Sequence, residues 1–105
     1  MQTVSPTEMF LVRCPASDRP VEPSVIEAHK DYLTALGGSL VLGAHAAPSA
    51  GAQGPDRHYI VRAGSSDEAK ALVTDDPFAV AGGYASVNIV PLNVLIGSVI
   101  GGKAW

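Results

Sequence analysis

Four strand-like runs and two helical patterns follow one another along this chain in the order β-α-β-β-α-β, and that order leaves few architectures open. The first run, Glu8 to Cys14, has a continuous apolar centre, Met9-Phe10-Leu11-Val12, expected of a strand covered on both faces. Residues 1–7 are polar and expected to fray, and Pro15 to Pro23 reads as a loop. Pro23 and Ser24 open a helix that runs to about Leu36 and ends at Gly37-Gly38. Its apolar stripe is Ile26, His29, Leu33 and Leu36, widened by Val25, Ala28 and Tyr32.

Ser39 to Ala46 is the second strand, in which Gly43 points to a bulge or a close approach. Ala47 to Asp56, rich in Ala, Gly, Pro and Ser, is a loop of the kind that borders sites. Arg57 to Ala63 is the third strand, with Tyr59 and Val61 on one face and His58, Ile60 and Arg62 on the other. Ser65 and Glu68 form a capping box before the second helix, whose apolar face is Ala69, Leu72 and Val73. The corner Asp75-Asp76-Pro77 ends that helix, and Gly82-Gly83 leads into a last strand from Tyr84 to Leu92. The order is the split βαβ, or ferredoxin-like, pattern: an α+β fold with a four-stranded antiparallel sheet and two helices on one face.

Two helices cover one face of such a sheet. At 105 residues, 47% hydrophobic and 16% charged, the chain is apolar for a single small domain. The apolar first strand and the apolar segment Asn93 to Trp105 therefore predict a homodimer with its sheets packed face to face, residues 1–92 being the domain and 93–105 an extension in the interface. A net charge of −3 without a basic block argues against nucleic acid as a partner. Cys14, the lone cysteine, excludes an internal disulfide and a cysteine zinc site. No signal-peptide pattern and no apolar run of about 18 residues is present, so the expectation is a cytoplasmic protein without a membrane partner.

The chemistry-bearing residues are few. His29, His45 and His58 are not spaced as a metal pair on one helix or strand, so neither a metal nor a cofactor is expected. A histidine on an apolar stripe is commonly a core residue with one satisfied nitrogen. Asp75 and Asp76 are commonly turn residues before a proline. Yet two carboxylates at a helix C-terminus oppose the macrodipole. A carboxylate at that corner would orient His29 and support its protonated form, equipping it as a general base. Tyr32 adds a polar tip one turn along. His45, beside the loop, and Arg62, as an anion binder, are secondary candidates against the plainer reading of solvated strand-end groups.

Several of these features occur together in one family. Glu27-Ala28-His29 through Leu33, the strand from Gly38 to Gly43, the Asp-Asp-Pro-Phe corner at Asp75 to Phe78, the turn Ala81-Gly82-Gly83 and the ending Pro91-Leu92 resemble the YciI-like proteins, small members of the dimeric α/β-barrel superfamily. The resemblance spans about Glu8 to Leu92. It implies a ferredoxin-like dimer with a histidine–aspartate active site, which falls on His29 and Asp76, with Asp75 as an extra acid. A characterised relative resembles a dehydrochlorinase for a chlorinated hydroxyhydroquinone, which implies lyase-type proton abstraction from a small ring. Two departures bear on the pocket mouth and assembly. Gly43-Ala44-His45 stands where the family usually has Gly-Pro, and residues 93–105 continue past its usual end.

The expected function is thus a cofactor-independent enzyme in which His29 and Asp76 perform elimination, dehydration or isomerisation on a small cyclic or aromatic hydroxylated substrate. Tyr32, His45, Phe78 and Tyr84 would bind it, with Phe78 and Tyr84 as pocket walls between the first helix and the sheet. A cofactor-free monooxygenase on the same fold, and a non-catalytic binding or assembly module, are the competing readings.

Overall fold

The structure, a computed structural model, describes residues 8–47 and 54–93. Its strands are β1 (Glu8–Cys14), β2 (Leu40–Ala46), β3 (Asp56–Ala63) and β4 (Asn88–Leu92), and its helices are α1 (Pro23–Ala35), α2 (Ser66–Thr74) and α3 (Pro77–Val80). The sheet order is β2-β3-β1-β4 with every neighbouring pair antiparallel. This is the ferredoxin-like arrangement: each β-α-β half places its two strands with one antiparallel strand between them.

The register decides what faces the helices. Phe10 pairs with Val61, Val12 with Tyr59 and Cys14 with Arg57. Directly paired residues share a face, and all six are buried. Leu33 of α1 and Ala69 and Val73 of α2 close over Phe10, Val12, Tyr59 and Val61 to make one core. The opposite face carries Met9, Leu11, Leu42, Ile60 and Val90, all half-buried. The apolar run in β1 is thus fully covered on its helix side.

Local signals set most boundaries. Pro23 sits in the first turn of α1, and Gly37 follows the helix at φ 56°, a left-handed conformation that glycine adopts without strain. Ser65 accepts from Glu68 N at 3.2 Å and caps α2. The Glu68 carboxylate returns to Gly64 N at 2.9 Å, one residue earlier than in the standard box. In β2 the register slips between Leu40 and Leu42. The irregularity thus falls just before Gly43, where a Cβ would sit 3.4 Å from the Tyr59 ring, an ordinary contact distance.

One sequence expectation is extended and one is corrected. The corner ends α2 at Thr74, and Pro77 then starts a further four-residue helix, α3, which Asp76 caps by accepting from Phe78 N at 2.9 Å. The last strand begins at Asn88 rather than at Tyr84. Between them, residues 83–85 bond to another partner: Ser17 N donates to Gly83 O at 2.9 Å and Ala85 N to Pro15 O at 2.8 Å. Tyr84 makes only an isolated bridge to Ala16, because the loop after β1 reaches it before the sheet does. Most of the Ala47 to Asp56 loop, and all of the 93–105 extension but Asn93, lie outside the described residues. Among the described residues, no helix is long and apolar enough to cross a membrane.

Candidate active site

The centre of the site is a buried ion-pairing contact. His29 Nδ1 lies 2.6 Å from Asp76 Oδ2, with 5% of the histidine and 1% of the aspartate exposed. His29 comes from the third turn's approach on α1, and Asp76 from the corner between α2 and α3. Asp76 adopts φ −62° and ψ 133°, the extended conformation imposed on a residue before proline. That conformation sends one carboxylate oxygen back to Phe78 N and the other to His29. The puzzle of an acid at a helix C-terminus is resolved by the next helix: Asp76 is the N-cap of α3, where a negative charge is favoured. Asp75 is the exposed C-cap of α2.

Asp76 Oδ2 has a second donor. Tyr84 Oη lies 3.3 Å away, and Tyr59 Oη lies 2.7 Å from Tyr84 Oη. Two phenols in series thus lead to the same carboxylate oxygen that meets the imidazole. Burial pushes both phenols well above the ordinary tyrosine range, and the Asp76 charge adds to the rise at each. Both remain neutral hydrogen-bond donors at physiological pH.

Aromatic rings enclose the pair. Phe78 packs on His29 with ring centroids 5.2 Å apart and on Tyr84 at 5.0 Å, and Tyr59 meets His29 edge-on at 6.5 Å. Gly83 makes this packing possible: a Cβ there would overlap the Phe78 ring. Holding Nδ1 with a carboxylate fixes the ring's orientation and leaves Nε2 as the nitrogen that exchanges protons. In its chemistry the pair is a general base when neutral and a general acid once protonated.

Beside the pair lies a cavity of about 330 Å³ lined by Ile26, Phe78, Arg57, Arg19 and Val21, among others. Phe78 belongs to both cavity and pair, and Ile26 is one turn before His29 on α1. The cavity borders α1 at Ile26 and has Phe78 in its wall, while His29 and Asp76 are not among its lining residues. Tyr84 is not a wall; its hydroxyl is engaged with Asp76. Tyr32 donates to the Leu72 carbonyl at 2.8 Å and ties α1 to α2, and its own hydroxyl is raised by burial, then by Asp75 and Asp76. His45 is exposed at the end of β2, directly opposite Arg57 and so on the helix side of the sheet. Burial, then the Arg57 and His29 charges, hold its imidazole below the ordinary histidine range. Arg62 is elsewhere: it is exposed on the other face and donates to Gly38 O at 3.2 Å.

Sequence reading missed Arg57 and the Tyr59–Tyr84 contact. Arg57 alternates with Tyr59 and Val61, so its burial was open to a period-two argument. Its charge and its place at the start of the strand concealed it. The Tyr59–Tyr84 contact had no local signal.

A buried histidine–aspartate pair in a ferredoxin-like sheet, with a cavity nearby that shares Phe78 with it, characterises this small α+β protein. The model of the YCII-related domain matches residues 9–93, most of the chain, and the protein belongs to that family. No curated protein sequence matches it. Among solved structures it is similar to the 5-chloro-2-hydroxyhydroquinone dehydrochlorinase of Burkholderia phenoliruptrix AC1100, determined in complex with 2,5-dihydroxybenzoquinone. The TM-score is 0.62 and the identity 24%, over 81% of this chain and 93% of that one. At that identity the likeness is one of fold.

Proposed function

We propose that this protein is an acid–base enzyme of lyase or isomerase type, acting on a small cyclic or aromatic hydroxylated compound and needing no cofactor for the chemistry. The observation that carries the reading is the 2.6 Å contact between His29 Nδ1 and a fully buried Asp76. A core histidine needs one satisfied nitrogen, which any backbone carbonyl supplies. A buried carboxylate is a costly way to satisfy it, and buried charges recur at sites that use them.

In the elimination form of the reaction, His29 Nε2 takes a proton from a ring O–H or C–H. From a C–H the freed electron pair forms a new C=C bond in the ring; from an O–H it forms a C=O bond and the ring's π electrons shift; in either case the leaving group departs with its bonding pair. Asp76 stabilises the imidazolium so formed, and Tyr84 donates to the same carboxylate. The isomerisation form returns the proton to a different ring atom. Phe78 and the apolar side of the cavity accommodate the ring, with His45 and Tyr32 as further binding residues. The fold neighbour, named for dehydrochlorination of a hydroxylated ring, makes halogenated hydroquinones the first compounds to test.

The test is turnover of a panel of hydroxylated and halogenated ring compounds by the wild type, His29→Ala and Asp76→Asn. Loss of turnover in both variants with the fold intact supports the reading. Full activity in both overturns the assignment of His29 and Asp76, and no turnover of any compound by the wild type leaves a binding or assembly module. Product analysis without oxygen separates elimination from oxygenation.

The working unit in this reading is a homodimer. The half-buried apolar face of Met9, Leu11, Leu42, Ile60 and Val90 supports it, since such a surface is covered by a partner in most small proteins.

A further inference from the structure

Among the described residues, Arg57 is the one buried charge the acid–base reading leaves without work. It begins the buried alternation of β3 and is 8% exposed. Its guanidinium lies over the Phe78 ring at 4.1 Å from the centroid. Stacking on a ring engages the face of the guanidinium and leaves its in-plane N–H donors unused. Nε is shielded from solvent and has no hydrogen-bond acceptor among the described residues. Buried polar hydrogens without a partner are rare, and a cation among them rarer. The same side chain lines the cavity, and so does Arg19, whereas no aspartate or glutamate does.

We propose that Arg57 is the anion anchor of this cavity and that the ligand is a single-ring compound bearing a carboxylate. A buried guanidinium in the cavity wall, with no acidic residue lining the cavity beside it, carries the argument. A guanidinium presents paired, parallel N–H donors, and a carboxylate accepts them with its two oxygens. Apolar walls at Pro20, Val21, Ile26 and Phe78 take the ring. The cavity, about 330 Å³, stands at the small end of ligand sites, near the roughly 300 Å³ at which they begin, and suits one ring rather than two. Phe78 touches both Arg57 and His29, so a ring held by its carboxylate at Arg57 is placed against the residue that also packs on the base. The inference rests on the reading that this cavity is the substrate site, and it adds the charge of the substrate.

The experiment is calorimetric titration of the full chain with 2,5-dihydroxybenzoate and with 2,5-dihydroxybenzamide, equal in shape and different in charge. The wild type is expected to bind the acid at least about tenfold more tightly than the amide, the size of one charge-assisted hydrogen bond. Arg57→Met keeps the buried stem and is expected to erase that preference, while His29→Ala retains it. Equal affinity for acid and amide in the wild type, no binding of either, or a preference surviving in Arg57→Met overturns the proposal. If Arg57→Met does not fold, Arg57→Lys decides: a reduced preference supports a two-pronged contact, and an unchanged one overturns it. The two readings fail separately. Turnover of neutral rings that depends on His29, without acid preference, removes the anchor alone. Acid preference without His29-dependent turnover removes the acid–base enzyme alone.

Discussion

His29 and Asp76 are 47 positions apart in the chain and 2.6 Å apart in the fold. The aspartate serves two masters at once, since its other oxygen caps α3 through Phe78 N. Asparagine caps a helix as well as aspartate does but carries no charge. Asp76→Asn is therefore expected to lose little through the cap and to lower turnover by about 10²-fold or more, the usual worth of a positioned proton-transfer group. Asp76→Ala removes the cap as well, leaves buried donors unpaired, and is expected to cost about 1–3 kcal/mol more in urea unfolding than the asparagine variant. Equal stability of the two variants would show that the cap contributes nothing.

Gly83 stands where a methyl group would overlap the Phe78 ring. Gly83→Ala is expected to destabilise the protein by about 1–3 kcal/mol, the cost of overpacking a filled core. Combining it with Phe78→Leu should recover part of that loss, and thermal melts of the two single variants and the double variant measure the coupling. Strict additivity would mean that the strain is relieved elsewhere.

Tyr59 and Tyr84 should behave as one unit. Removing either hydroxyl breaks the 2.7 Å contact, and removing the Tyr84 hydroxyl also takes a donor from Asp76. Tyr84→Phe is expected to cost about 1–2 kcal/mol, Tyr59→Phe less, and the double variant less than their sum. A double-mutant cycle with no interaction energy would show that the hydroxyls are independently solvated.

The alkaline limb of stability has a defined sign. Burial, then the Asp76 charge, pushes the Cys14 thiol up from 9.0 to about 12 in the folded protein. The folded state thus holds this proton more tightly than the unfolded state does. Its contribution is fully present below pH 9.0 and is lost as pH rises toward about 12, at no more than ~1.4 kcal/mol per pH unit for the thiol alone. Tyr59 and Tyr84 act in the same direction. Alkylation of Cys14 at pH 8 is expected to proceed only through unfolding, so its rate should track denaturant concentration. Fast labelling under native conditions would contradict the burial described above.

His45 offers a readout of the cavity's charge. Its imidazole is held down by burial and then by Arg57 and His29. By NMR it should titrate below the ordinary histidine value of 6.5, and Arg57→Met should move it upward. The same depression means that His45 subtracts stability as pH falls below 6.5, because charging it in the folded protein is the harder step. An unchanged midpoint in Arg57→Met would place the two groups farther apart than their pairing across β2 and β3 implies.

Much of this molecule is legible from the order of its residues, for identifiable reasons. Strands and long helices carry their period in sequence, so β1, α1 and β3 are found within a residue or so of their ends. His29 and Asp76 are legible because each conflicts with its surroundings: a polar ring on an apolar stripe, and an acid where a helix dipole repels it. The four-residue α3 is too short to show a period, and Pro77 reads equally well as an end or a beginning. The displaced start of β4 depends on the loop after β1, a contact across the fold. In the sequence, Arg62 and Arg57 are equally plausible anion binders on one strand. The pleat separates them, turning Arg57 toward the helices and Arg62 away.

The double engagement of Asp76 also shapes how this position can vary. In a library selected only for folding, aspartate and asparagine should both survive at position 76, because either caps α3. In a library selected for turnover, aspartate alone should remain. Comparing the two enrichment profiles at one codon would separate what the architecture demands from what the chemistry demands, without any knowledge of the natural substrate beyond a compound that reacts.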